Sequence, residues 1–198
     1  MFVRSDHGDH ELRFTAGECR IDDSEAKRIR GNAIVFNTRS AYLGWFYEII
    51  APEAVDRTLR EAGDVRALVD HDTSKVMGRT KAGTLALKKD RNALSVSIDP
   101  PKTTFSSDIQ ESLSRGDVSG MSFRFSVMPD GDSWDEEDGI LIRTIHDMQF
   151  DEVSIVSFPA YGATSAYVSK RAIEHAQQLT RGRSVGMLRK LHRTRLAR

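Results

Sequence analysis

Residues 115–127 read RGDVSGMSFRFSV, and the fold class turns on them. From Met121 the side chains alternate: Met121, Phe123, Phe125 and Val127 share one face, while Ser122, Arg124 and Ser126 share the other. Successive strand residues point to opposite faces, so this is a strand with one apolar and one polar side. A helix pattern precedes it over 106–116, SSDIQESLSRG, with Ile109 and Leu113 as the buried stripe. Ser107, followed three residues later by Gln110, has the form of a capping box, and Gly116 stops the helix.

The strand signal recurs on both sides of this stretch, over 11–20, 26–37, 64–72, 76–80, 84–88, 93–99, 139–146 and 152–157. SAYLGWFYEII, 40–50, suits a strand or an extended loop. In DVRALVDHD, 64–72, Val65, Ala67 and Val69 alternate with Arg66, Leu68 and Asp70, and His71 arrives at the strand's end. A second short helix is expected from Pro52, with Val55 and Leu59 one turn apart and Gly63 closing it. Many short strands with two short helices predict a mainly β fold with some α: a closed or nearly closed β-barrel decorated by short helices. DGDSWDEEDG, 130–139, carries six carboxylates but not the spacing of a calcium loop, so a solvated hairpin loop is expected.

Composition narrows the classes. No apolar run approaches the roughly 18 residues of a membrane span, and the polar start MFVRSDHGDHELRF offers no export signal. One cysteine, Cys19, allows no internal disulfide and suits a reducing compartment. No metal site or cofactor is expected. The 29 basic and 29 acidic residues hide an asymmetry. Lys170 to Arg198 holds nine Lys/Arg against Glu174 alone, which leaves 20 basic and 28 acidic residues before it. An acidic body, 1–169, is therefore expected to carry a basic tail, 170–198. The tail has a helix-compatible start broken at Gly182 and Gly186 and reads as a solvated C-terminus. Its charge also allows docking on an acidic partner or on nucleic acid, though no nucleic-acid motif accompanies it.

A serine hydroxyl is a weak nucleophile until a base takes its proton, and histidine, with a pKa of about 6.5, is the natural base. Of six histidines, His7, His10, His175 and His192 read as surface groups, which leaves His71 and His146. Two serines compete. Ser122 lies on the polar face of the quoted strand, where a substrate strand could lie, and Ser119 lies in the turn before it.

Four stretches in one order then carry a resemblance: GNAIVFNTRSAYLGWFYEIIAPEAVDRTL, ALVDHDTSKVMGRT, SLSRGDVSGMSFRF and DEVSIVSFPAYGATSAY. Together, over roughly residues 25–168, they resemble the HK97-type prohead proteases of tailed bacteriophages. That family is similar to the herpesvirus assemblin proteases in fold and in its use of serine and histidine. The resemblance implies His71 as the family's histidine and Ser122 as its serine, with Ser119 the alternative. It points to Glu152 as the third member, with Asp151 adjacent and His146 the candidate if a second histidine serves instead. Arg124, where the family often has glycine, would add positive charge near the oxyanion or simply point outward.

The resemblance further implies a serine endopeptidase that uses no cofactor. It would act inside the assembling prohead in the host cytoplasm, where it would cut scaffold or the scaffold-like arm of the capsid protein and finally itself. A homodimer is expected by the same analogy. The alternative is a catalytically silent internal scaffold or capsid-binding barrel that keeps the same strands.

Overall fold

The computed structural model describes residues 10–22, 27–61, 63–157 and 168–181. The quoted stretch forms β8, Gly120–Val127, at the middle of an eight-stranded sheet. Its alternation holds: Met121, Phe123 and Phe125 are buried in the main core, with the two phenylalanine rings stacked 5.3 Å apart. Burying each such ring is worth about 1.5–3 kcal/mol, so this face alone fixes the strand's orientation.

The other strands of the sheet are β1 (His10–Ile21), β2 (Ile29–Val35), β4 (Arg66–Val69), β5 (Asp72–Arg79), β6 (Leu85–Lys89), β7 (Ala93–Ile98) and β11 (Met148–Val156). Their order is β5-β4-β11-β8-β1-β2-β7-β6. The fold is mainly β, as the sequence predicts, but the sheets are not closed into a barrel. The edge strands β5 and β6 are nevertheless consecutive in the chain, joined by residues 80–84. Seven strand spacings would separate flat edges by about 34 Å, whereas six peptide links reach about 21 Å. The sheet therefore curls until its edges approach, and the amide of Thr84 donates to the carbonyl of Arg79 at 3.2 Å.

A second sheet has the order β3 (Tyr47–Ile50), β10 (Ile140–Ile145) and β9 (Asp132–Glu137). Only the end of the 40–50 stretch is strand. Most of the acidic segment is β9, an edge strand, and the turn to β10 is confined to Asp138 and Gly139, both at positive φ. That is the backbone a two-residue hairpin requires. Asp132 is not a solvated loop residue, because it accepts from Arg143 and from the Trp134 indole.

The first helix opens with a 3-10 turn, Pro52–Val55, and continues as α1, Asp56–Arg60. The second, α2, spans Thr104–Arg115, and its cap is Thr103 rather than Ser107: the Thr103 side chain accepts from the Ser106 amide. Gly116 ends it in the left-handed conformation, as expected.

Residues 170–181 form a third helix, α3, in keeping with the helix-compatible start before Gly182, but this part of the tail is seated on the body rather than solvated. Val168, Ala172 and Ala176 pack with Leu43, Phe46 and Leu141 in a second apolar cluster. Beneath it lies a buried ion network. Arg13 of β1 donates to Glu48 of β3 at 2.7 and 2.8 Å, and Arg143 of β10 donates to Glu11 at 2.9 Å, to Glu48 at 3.2 Å and to Asp132 at 2.8 Å. Ser169 caps α3 by accepting the Ala172 amide and donates to Glu11 at 2.9 Å, which ties the helix to this network. Burial opposes the charge on Glu11, but Arg13 and Arg143 outweigh it and hold the carboxyl below its usual range. The remainder of the basic tail, 182–198, and His7 and His192 lie outside the described residues.

Candidate active site

The histidine at the end of the 64–72 stretch does not continue a strand. β4 stops at Val69, β5 begins at Asp72, and Asp70 and His71 form the two-residue turn between them. Both have positive φ, 49° and 60°, a region that histidine and aspartate enter more readily than most residues but at a cost of order 1 kcal/mol. The turn is held in place by its surroundings. The Asp70 amide donates to Ile155 of β11, and the Asp70 carboxylate accepts the amide and hydroxyl of Ser157, both at 2.9 Å.

This turn carries the imidazole over the polar face of β8. His71 Nε2 lies 2.8 Å from Ser122 Oγ, and Nδ1 is in hydrogen-bond contact with Glu152 Oε1. The three side chains come from the β4–β5 turn, β8 and β11, with the first two 51 positions apart in the chain. Ser122 shares a face with Arg124, as the alternation predicts, but it is wholly buried rather than open to a substrate strand. The half-exposed ring of Phe14 stands edge-on to His71, 6.2 Å between centroids. A carbonyl carbon must come within about 3–3.5 Å of Oγ to react, and the buried Ser122 is reached only when neighbouring groups move.

Glu152 reaches the site through an irregularity. Along β11, Met148 and Phe150 are core residues, and strict alternation would send residue 152 into the core as well. A bulge between Phe150 and Glu152 inserts Asp151, and beyond it Val153 and Ile155 take the core positions. Glu152 and Ser154 thereby join the face of Ser122, with Ser154 directly opposite Ser122 in the ladder. Burial opposes ionisation of Glu152, but the His71 contact, the Ser154 hydroxyl and the charge of Arg124 together lower its pKa from 4.5.

The other candidates are engaged elsewhere. Asp151 accepts from the Arg124 guanidinium at 3.2 and 3.3 Å and is not in contact with His71. Arg124 also lies 3.4 Å from Glu152 Oε2. His146 is exposed, near Ser133 Oγ at 2.9 Å and Glu53 at 3.2 Å, and does not join the site. Ser119 precedes β8, and its carbonyl accepts the Cys19 amide at 2.8 Å. Ser154, buried between His71 and Glu152, is the residue that sequence reasoning missed. A serine two positions after the acid carries no signal until the bulge and register are known.

A buried carboxylate, a neutral-capable imidazole and a hydroxyl in this chain of contacts can activate the hydroxyl as a nucleophile. The chain matches the family model described as caudovirus prohead serine protease over residues 15–179. It belongs to that family. The match includes β8, the β4–β5 turn and β11, so all three site side chains fall inside it. Searches among curated proteins and among solved structures return no match. As a caudovirus prohead serine protease, the chain is a serine endopeptidase of capsid maturation that acts inside the assembling prohead and interacts with phage capsid proteins. No helix among the described residues is long and apolar enough to cross a membrane.

Proposed function

We propose that Ser122 is the nucleophile of this protease, His71 its general base and acid, and Glu152 the residue that orients the imidazole. The observation that carries the reading is the continuous contact from Glu152 Oε1 through the ring of His71 to Ser122 Oγ. Glu152 holds the proton of His71 on Nδ1, so Nε2 is bare and faces the hydroxyl. Oγ attacks the scissile carbonyl carbon as its proton passes to Nε2. The tetrahedral species collapses when His71 returns that proton to the leaving amine and the C–N bond breaks. Water then hydrolyses the acyl-serine by the same route in reverse. Arg124, on the same face two residues from Ser122 and paired with Asp151, contributes positive charge towards the oxyanion.

The substrates we assign are scaffold or the scaffold-like arm of the capsid precursor, and finally the enzyme itself, within the prohead in the host cytoplasm. A homodimer is the assembly we assign. The basic residues from Lys170 onward favour an acidic scaffold as the docking partner.

Incubation with the capsid precursor tests the reading, with wild type beside Ser122→Ala and His71→Ala and products read by mass spectrometry. Discrete cuts by wild type that both variants abolish are expected. Cutting by Ser122→Ala at the wild-type rate would move the nucleophile elsewhere, with Ser119 the next residue to test.

A further inference from the structure

The contacts of Glu152 are lopsided. Oε1 takes the contact with His71 Nδ1 and accepts the Ser154 hydroxyl at 2.7 Å, whereas buried Oε2 accepts no hydrogen bond among the described residues. Ser154 has a second contact: its Oγ accepts the backbone amide of His71 at 3.2 Å. The two directions are fixed by chemistry, because a carboxylate only accepts and an amide only donates. One hydroxyl thus links the acid to the backbone of the very residue whose ring that acid contacts. Ser154 is wholly buried and sits opposite Ser122 across the ladder, so water does not substitute for it easily.

We propose that Ser154 is a positioning residue of the peptidase reaction, fixing both the carboxylate of Glu152 and the strained turn that carries His71. The inference rests on the assignment of Ser122, His71 and Glu152 made above. The two constraints act together. The turn holds His71 at positive φ, and its amide finds its acceptor on Ser154. Without the hydroxyl, Oε1 keeps only His71 as partner, and the carboxylate is free to swing towards Arg124, 3.4 Å from Oε2. The imidazole then loses the orientation that aims Nε2 at Oγ. A hydrogen bond to a charged group, lost where it shapes the transition state, corresponds to about a tenfold slower reaction.

The test is phosphonylation of the full chain by a fluorophosphonate, which bonds phosphorus to a reactive serine oxygen, expels fluoride and is read by intact mass. The rate is followed against pH for wild type, Ser154→Ala, Ser154→Thr and Ser122→Ala, with urea midpoints and the low-field proton signal of His71 Nδ1–H recorded alongside. Ser154→Ala is expected to react about tenfold more slowly, with a displaced acid limb and a moved low-field signal, while Ser154→Thr, which keeps the hydroxyl, stays near wild type. Should Ser154→Ala fail to fold, Ser154→Cys, close in size and a poor hydrogen-bonder, takes its place with the same expectation. If the Ala or Cys variant reacts at the wild-type rate with an unchanged pH profile, the positioning role is overturned while the triad stands. The same holds if Ala and Thr are equally slow, because packing rather than the hydroxyl would then matter. Wild type that is not labelled at Ser122 overturns the triad and this inference together.

Discussion

Ser122 Oγ lies 2.9 Å from the carbonyl oxygen of Arg13 on the neighbouring strand, which accepts its proton. The same oxygen is 2.8 Å from His71 Nε2, so one hydroxyl faces two acceptors and can donate to only one. A neutral His71 with its proton on Nδ1 takes the serine proton at Nε2. A protonated His71 donates from Nε2 and leaves the Arg13 carbonyl as the acceptor among the described residues. The Arg13 carbonyl is therefore the resting place of the hydroxyl proton whenever the imidazole is charged, and in the proposed mechanism attack then stops.

One proton is enough to switch the site off. The pKa of Glu152 is lowered against the opposing effect of its burial, so the carboxylate is ionised across neutral pH. The acid limb of log kcat/KM against pH is expected to have a slope of one. A slope of two would mean that the Glu152 carboxylate is not held ionised.

The same lowering has a consequence for stability. A carboxyl whose folded pKa lies below its unfolded value adds stability above the unfolded value and loses it as pH falls through the folded one. The stability difference between wild type and Glu152→Gln should therefore be constant at neutral pH and shrink as pH falls below the ordinary value of 4.5. Urea unfolding at a series of pH values measures it. A difference that grows towards acid would reverse the sign.

Loss of the carboxylate should cost far more in rate than in stability. Glu152→Gln leaves an amide where the Nδ1 proton needs an anion, and comparable replacements slow catalysis by about 10⁴-fold. Capsid-precursor cleavage by Glu152→Gln within tenfold of wild type would exclude this carboxylate from the proposed triad.

The buried ion network should respond strongly to losing one member. Arg143→Met leaves Glu11 and Glu48 sharing Arg13 in a site closed to water, a change expected to cost about 3–5 kcal/mol. Ser169→Ala removes only the α3 cap and one bond to Glu11, and about 1 kcal/mol is expected. Urea midpoints for the two variants check the order, and equal losses would contradict it.

Cys19 should be inert in the native protein. It is buried against β8, its thiol 3.7 Å from the Gly120 carbonyl, and burial pushes its pKa up to about 12. A thiol reagent at neutral pH should modify it only on unfolding. Prompt modification of the folded chain would show that this part of the core opens.

The sequence by itself determined the strand character of β8, the apolar face of Met121, Phe123 and Phe125, the stop at Gly116 and the family, because these rest on periodicity and motifs within a few residues. Its motifs also named the three side chains proposed for the site, with Ser119, Asp151 and His146 as alternatives. Tertiary structure alone decided how they meet. The turn at Asp70 and His71 has no glycine to announce it, and its positive φ is held by Ile155 and Ser157, more than eighty residues away. The bulge that brings Glu152 out of the core is a matter of register between β11 and β8, to which a period of two is blind. The seating of α3 likewise depends on partners distant in the chain, Leu43, Phe46 and Leu141. Local patterns fix which way a side chain faces; long-range pairing fixes what it finds there.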